Sequence, residues 1–200
     1  MNLKRLRIAV WAATALLVVA MGGAVWLHAG GTIPGAAAVA IGGPFSLTDQ
    51  RGATVTEAAL KGHPSAIFFG YTYCPDVCPT TLADMSDWLQ KLGPDGDRLK
   101  FFFVTVDPER DTKDQIASYL QAFDPRITGL TGTRTAIDQM LKAFRVYSRK
   151  VTLEGGSYTM DHTASVFLFD TDASFAGTVD YKDDPDKALA KLKRLVAASA

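Results

Sequence analysis

Hydrophobic and polar positions fall into three regimes along the chain. Ile8 to Leu27, IAVWAATALLVVAMGGAVWL, is a run of 20 residues without a charge. At about 1.5 Å per residue it makes a helix of roughly 30 Å, the thickness of the hydrocarbon core of a bilayer. Trp11 and Trp26 stand near its two ends, where indole rings favour the membrane–water boundary. Ala29 to Pro44 follows, with twelve of sixteen positions Gly, Ala or Pro. It is too poor in bulky side chains to build a core and reads as a tether. From Phe45 onward, short apolar runs alternate with helical periods.

In that third regime Phe45–Thr48 and Thr54–Thr56 flank the turn Asp49-Gln50-Arg51-Gly52 and read as a small hairpin. Ser65–Gly70, SAIFFG, and Leu99–Val106, LKFFFVTV, read as central strands. Pro79–Leu92 carries Leu82, Met85, Leu89 and Leu92 at helical spacing, with proline suited to a first turn. Asp114–Phe123 and Thr133–Phe144 read as further helices, and Val146–Leu153 as a strand ahead of a Gly155-Gly156 turn. Ala164–Phe169 and Phe175–Val179 form an antiparallel hairpin around Asp170–Ser174, and Asp184–Ala198 is a closing helix with Leu189, Leu192 and Val196 on one side. Strands alternating with helices, then a hairpin and a helix, predict an α/β domain: a mixed sheet with helices on both faces. There is no internal repeat and no second core in the 200 residues.

Charge sharpens the picture of the N-terminus. Lys+Arg and Asp+Glu are equal at 21 each, so no basic field is offered to nucleic acid. Yet Lys4, Arg5 and Arg7 precede the apolar run, and no Asp, Glu, Lys or Arg occurs from Ile8 to Thr48. The remaining 152 residues hold 18 basic and 21 acidic groups. Basic residues ahead of a spanning helix keep that end in the cytoplasm. The expected organisation is a cytoplasmic N-terminus over 1–7, a transmembrane anchor over 8–28, a linker over 29–44 and an exported domain over 45–200. A cleaved signal peptide is the competing reading. Its apolar core would be about 7–15 residues, shorter than this run, and the cleavage-like Ala38-Val39-Ala40 lies well beyond the run. Seven residues leave no room for a mitochondrial presequence ahead of the helix, which favours a bacterial inner-membrane protein with its domain in the periplasm.

The candidate chemistry sits in GYTYCPDVCPTTL, which holds both cysteines, Cys74 and Cys78. The segment follows one strand and opens a helix. A loop at the carboxyl edge of a strand is where open α/β sheets place their sites, and a helix N-terminus favours thiolate. The C-x₃-C spacing is about one helical turn and brings both sulfurs to one side. They can then close a disulfide or hold one ion. A plain structural disulfide is the bland reading, but so small a loop gives modest stabilisation. Of the three histidines, His28 ends the membrane helix, His63 lies in a turn before Pro64, and His162 lies in YTMDHTASVFLFD. A lone histidine is usually structural. His162, however, is brought to a strand end by the Gly155-Gly156-Ser157 loop. Two thiolates and one imidazole suit copper: soft sulfur selects Cu(I) and imidazole tolerates Cu(II). A structural zinc site would need a fourth protein ligand. Asp107, at the end of the second central strand in FVTVDPERDT, is either a turn-initiating residue before Pro108 or a group that tunes the site from behind its ligands. Asp76, between the cysteines, is equally explained by helix capping.

GYTYCPDVCPTTL, VDPERDT and YTMDHTASVFLFD, in this order and spacing, resemble the SCO/SenC family of membrane-anchored copper proteins from roughly Phe45 to Val196. The resemblance implies a thioredoxin-like fold with an added N-terminal hairpin. It implies one copper, Cu(I) or Cu(II), on Cys74, Cys78 and His162, with Asp107 matching the family's acidic residue near the site. It implies a role in assembling the binuclear copper site of cytochrome c oxidase subunit II, with other copper chaperones or thioredoxin-like reductases as further partners. Tyr73 departs from the pattern, since many relatives carry His before the first cysteine. Thiol–disulfide exchange by Cys74 and Cys78, reducing the cysteines of a partner's copper site, is the alternative function. It needs no His162. A peroxidase is disfavoured, because Tyr71 stands where the peroxidatic motif of peroxiredoxins has Thr or Ser.

Overall fold

Every residue from Ser65 to Gly70 is buried, and the apolar run that predicts a central strand becomes the middle of a seven-stranded sheet. The computed structural model describes residues 3–28 and 40–199. The chain divides into two units, Met1–Ala40 and Ile41–Ala200. In the first, helix α1 (Leu3–His28) is long and apolar enough to cross a membrane, and its side chains from Leu3 to Trp26 are exposed. An apolar surface of that length is stable in a bilayer and costly in water. Residues 29–39, most of the expected linker, lie outside the described residues.

In the second unit the sheet order is β2-β1-β5-β4-β3-β8-β9. The strands are β1 (Ser46–Asp49), β2 (Thr54–Thr56), β3 (Ser65–Gly70), β4 (Lys100–Thr105), β5 (Ile127–Thr131), β8 (Val166–Phe169) and β9 (Phe175–Val179). The three central strands β3, β4 and β5 run parallel, with Gly70 opposite Thr105 and Phe103 opposite Gly129. The hairpin β1–β2 adds antiparallel to β5, and β8–β9 adds antiparallel to β3. Helices α2 (Val77–Leu92), α3 (Lys113–Leu120), α4 (Arg134–Ala143) and α5 (Pro185–Ala197) flank the sheet, α2 meeting α5 and α3 covering β5. This is the thioredoxin-like mixed sheet with an N-terminal hairpin that the family resemblance implies. Its core is aromatic: Phe68, Phe69, Phe103, Phe144 and Phe169 are fully buried. Each such ring contributes about 1.5–3 kcal/mol of burial.

Three segments differ from the sequence reading. β5 is a central strand where the pattern suggested none, because ITGLT is short and carries Gly129 at its middle. The glycine is needed there, since a Cβ would stand 2.2 Å from Ile116 on α3. The stretch before His162 is a strand, β7 (Tyr158–His162), paired antiparallel with β6 (Ser148–Thr152) in a separate two-stranded sheet. Lying off the main sheet, it sends only Met160 fully into the core, with Tyr158 packed beside it, too short a pattern to mark a strand. Finally, residues 41–44 of the expected linker pack on the domain: Gly42 N–H donates to the Ala143 carbonyl at 3.0 Å, and Ile41 touches the core.

Candidate metal centre

The cysteines sit where β3 leaves the sheet. Val106 N–H donates to the Gly70 carbonyl at 2.7 Å, tying the ends of β4 and β3 together. Helix α2 begins at Val77, two residues ahead of the expected start, so Cys78 belongs to its first turn. Asp76 occupies the N-cap position, but its side chain makes no capping bond. Cys78 is fully buried and Cys74 is half-buried. The backbone N–H of Cys78, free at the start of the helix, points at Cys74 Sγ at 3.4 Å. Gly70 makes room for the second sulfur: a Cβ there would stand 2.8 Å from Cys78 Sγ.

The two thiols divide their roles. The Cys78 thiol donating to Cys74 is the main cause that holds Cys74 down to about 3; burial opposes it, and the N–H groups of Asp76 and Cys78 assist. The Cys74 thiolate and burial push Cys78 well above its ordinary range. At neutral pH the pair is therefore an accessible thiolate backed by a buried thiol.

His162 ends β7, opposite Ser148 in the hairpin register. Its Nδ1 lies 2.9 Å from the Thr163 carbonyl, which can only accept, so Nδ1 carries the proton. That leaves the Nε2 lone pair facing inward, 3.5 Å from Cys78 Sγ. The ring is braced at right angles by Tyr71, with centroids 5.8 Å apart, and by the edge of Phe68 at 6.1 Å. The donor atoms of Cys74, Cys78 and His162 all lie within 4.8 Å of one another. Two sulfurs and a correctly turned imidazole nitrogen can hold one soft metal ion.

The other residues singled out by the sequence fall as follows. Asp107 is fully buried but touches neither cysteine. It accepts from Arg110 Nε and from the Tyr158 hydroxyl at 2.9 Å. Burial and the neighbouring Asp107 carboxylate push the Tyr158 phenol up to about 12, so it stays a donor. Tyr73 is exposed and covers the Arg110 guanidinium at 4.9 Å. His63 is exposed in its turn, and the side chain of His28 lies outside the described residues.

Asp111 was not anticipated. It is fully buried, accepts from Thr72 N–H at 3.0 Å and from the hydroxyls of Thr72 and Thr105 at 2.7 and 2.6 Å, and so fastens the start of the cysteine loop. The available signal was Thr72 and Thr105 at the ends of two adjacent strands with an acid nearby. Nor did the pattern mark Arg110 and Tyr158, which join Asp107 to the hairpin.

The SCO1/SenC family model matches residues 34–197. The human mitochondrial protein named SCO1 homolog is 42% identical over 141 residues, 68% of this chain and 46% of its own length. The chain spans about half the length of the first curated relatives it matches. Among solved structures, ScoI of Bradyrhizobium japonicum with copper bound is 49% identical, with a TM-score of 0.73, covering 78% of this chain and 99% of that one. Yeast Sco1 with copper bound is 34% identical, with the same TM-score, covering 80% and 90%. With the family model matching residues 34–197, well over half of the chain, and relatives of this identity beside it, the chain belongs to the SCO1/SenC family.

Proposed function

We propose that this chain is a membrane-anchored copper carrier that takes one copper ion on Cys74, Cys78 and His162 and passes it to the binuclear copper site of cytochrome c oxidase subunit II. The observation that carries this reading is the convergence of two sulfurs and the Nε2 side of His162 within 4.8 Å. Copper is cargo here, so the site has to bind and also release. Cys74 meets the ion as a preformed thiolate, and Cys78 gives up its proton when the ion replaces it. His162 adds the third donor that Cu(II) requires. The copper-bound relatives support the choice of metal. Helix α1, with Lys4, Arg5 and Arg7 ahead of its charge-free run, supports a single-pass anchor in a bacterial inner membrane, with the cysteine domain on the periplasmic side.

Thiol–disulfide exchange is the second reading, favoured by the thiolate of Cys74 standing in front of the Cys78 thiol. Cys74 would attack a partner disulfide and release one partner thiolate. Cys78, losing its proton, would then attack Cys74 Sγ and release the other. Two electrons pass to the partner and the pair ends as a disulfide.

His162→Ala separates the two. The full chain in detergent should bind one copper, show a thiolate-to-copper charge-transfer band and lose that band in Cys74→Ser or Cys78→Ser. His162→Ala should lose Cu(II) retention yet keep thiol cycling. In cells, failure of oxidase copper-site assembly with His162→Ala, the protein being present, supports the carrier. Normal assembly would transfer the role to thiol exchange.

A further inference from the structure

The histidine's hairpin is attached to the body of the domain by Met160, which enters the core, and by a small set of polar contacts around Tyr158. β6 and β7 pair only with each other. Besides the His162–Cys78 contact at the site itself, the side-chain hydrogen bonds from β7 to the body come from its first two residues. Thr159 Oγ1 shares a proton with the Tyr71 hydroxyl at 2.7 Å; Tyr158 O accepts from Arg110 Nη1 at 3.0 Å; and the Tyr158 hydroxyl donates to Asp107. Arg110 is the centre of this attachment. Its Nε is paired with Asp107, whose side chain is 1% exposed, while Arg110 is 23% exposed. The guanidinium lies 3.7 Å from the centre of the Tyr158 ring and 4.9 Å from that of Tyr73, and Lys150 Nζ lies 3.7 Å from the Tyr158 ring. Tyr73 is the residue before Cys74, and Tyr158 opens the strand that ends at His162. One guanidinium is therefore in contact with both ligand-bearing segments.

Solvation argues against reading this as an ordinary surface ion pair. Exposed pairs hold little and are easily lost. Here the carboxylate is buried, and Arg110 Nη2 is itself buried with no hydrogen-bond partner. An arrangement that tolerates an orphaned guanidinium N–H is held by its other contacts, and those contacts are the two segments. The loop that carries Arg110 is fixed in turn. Asp111, one residue on, accepts from Thr72 in the cysteine loop, and its backbone carbonyl accepts from Thr131 on β5 at 2.7 Å. Residues 107–111 thus form a bracket, Asp111 gripping the cysteine side while Asp107 and Arg110 grip the histidine side.

We propose that Arg110, with Asp107 and Tyr158, is the positioning set that fixes the distance from His162 to the two cysteines. It rests on the copper reading above and says which residues set the hold on that ion. None of the three touches a donor atom. His162 is four positions along the strand from Tyr158, about 13 Å, so the effect travels through the hairpin as a rigid ladder. Releasing Tyr158 lets the hairpin swing and costs the site its nitrogen, leaving the sulfurs where the sheet puts them.

The test uses the full chain in detergent, as wild type, Arg110→Gln, Tyr158→Phe and Arg149→Ala. Arg149 pairs with Asp161 on the exposed side of the same hairpin and serves as the control. The first readout needs no metal: the imidazole nitrogen resonances of His162 in the ¹⁵N-histidine-labelled chain, assigned by loss in His162→Ala. Wild type and Arg149→Ala should give one tautomer protonated at Nδ1, whereas Arg110→Gln should give exchange-averaged signals. The second readout is copper release to a chelator. Arg110→Gln should release copper about tenfold faster, the lower end of what groups behind metal ligands usually govern. The thiolate-to-copper band should persist while nitrogen coupling in the Cu(II) spectrum is lost. Tyr158→Phe keeps the ring and the fold and removes only the hydroxyl, so it should fall between wild type and Arg110→Gln. It decides the matter if Arg110→Gln does not fold. Unchanged His162 resonances and unchanged release in both variants overturn the proposal. A wild type that takes no copper on its cysteines defeats the copper reading instead, and the metal-free resonances still judge the bracket.

Discussion

The two segments that meet at the metal centre are built in opposite ways. The cysteine side grows from β3, whose six residues are all buried between β4 and β8. The histidine side is the β6–β7 hairpin, where Met160 alone of ten residues is buried. On one side, position is set by close packing of aromatic rings. On the other it is set by a handful of hydrogen bonds and the grip of Arg110. The proposed copper carrier would benefit from this division. In the proposed role, two ligands on the packed sheet would keep the ion, and the third, held by fewer contacts, would leave first when a partner's ligands arrive.

The two sides should differ most when one apolar side chain is truncated on each. Phe68 lies in the core against Phe103 and touches the edge of His162, so Phe68→Ala should cost about 3–5 kcal/mol in urea unfolding. Leu153, exposed beside the hairpin turn, should cost less than about 0.5 kcal/mol on truncation to Ala. Comparable losses would mean that the hairpin is part of the core after all. Gly70→Ala probes the frame more finely. Its new methyl would press on Cys78 Sγ, Phe103 and Phe68, and overpacking of this kind costs about 1–3 kcal/mol. It should also slow closure of the Cys74–Cys78 disulfide, followed by free-thiol counting, with little change at His162.

The smallest effect concerns pH. Burial raises the carboxyl of Asp111 above its ordinary value, and its bonds to Thr105 and Thr72 offset only part of that. A raised carboxyl contributes stability that is fully present below the unfolded pKa and is lost as pH climbs through the folded one. Urea midpoints of the wild type should therefore fall, relative to Asp111→Asn, as pH rises out of the ordinary carboxylate range. Parallel curves would show that Asp111 ionises without penalty.

The same contrast governs what could be read from the sequence. β3 and the body and end of α2 are legible because a buried strand is an unbroken apolar run and the helix keeps its leucine spacing to Leu92. The cysteines stood out because they fall at that junction. β5 escaped because Gly129, required by the close approach of α3, interrupts its pattern. β7 is hidden because Met160 is its one fully buried residue and polar residues flank it; the pattern puts His162 ahead of the strand at Ala164–Phe169, whereas it ends β7. The bracket was the least legible part. Asp107 looked like a turn residue or a neighbour of the sulfurs, whereas its partners, Arg110 and Tyr158, lie 3 and 51 positions away. Asp111 is a buried acid whose partners become visible only when strands β3 and β4 are side by side.

The most direct test of the central claim is X-ray absorption at the copper edge on the full chain loaded with one equivalent of copper. Two sulfur scatterers and one imidazole nitrogen are expected, with the imidazole signature absent in His162→Ala and the sulfur shell reduced in Cys74→Ser. A first shell made only of nitrogen and oxygen, or one that neither substitution alters, would contradict it.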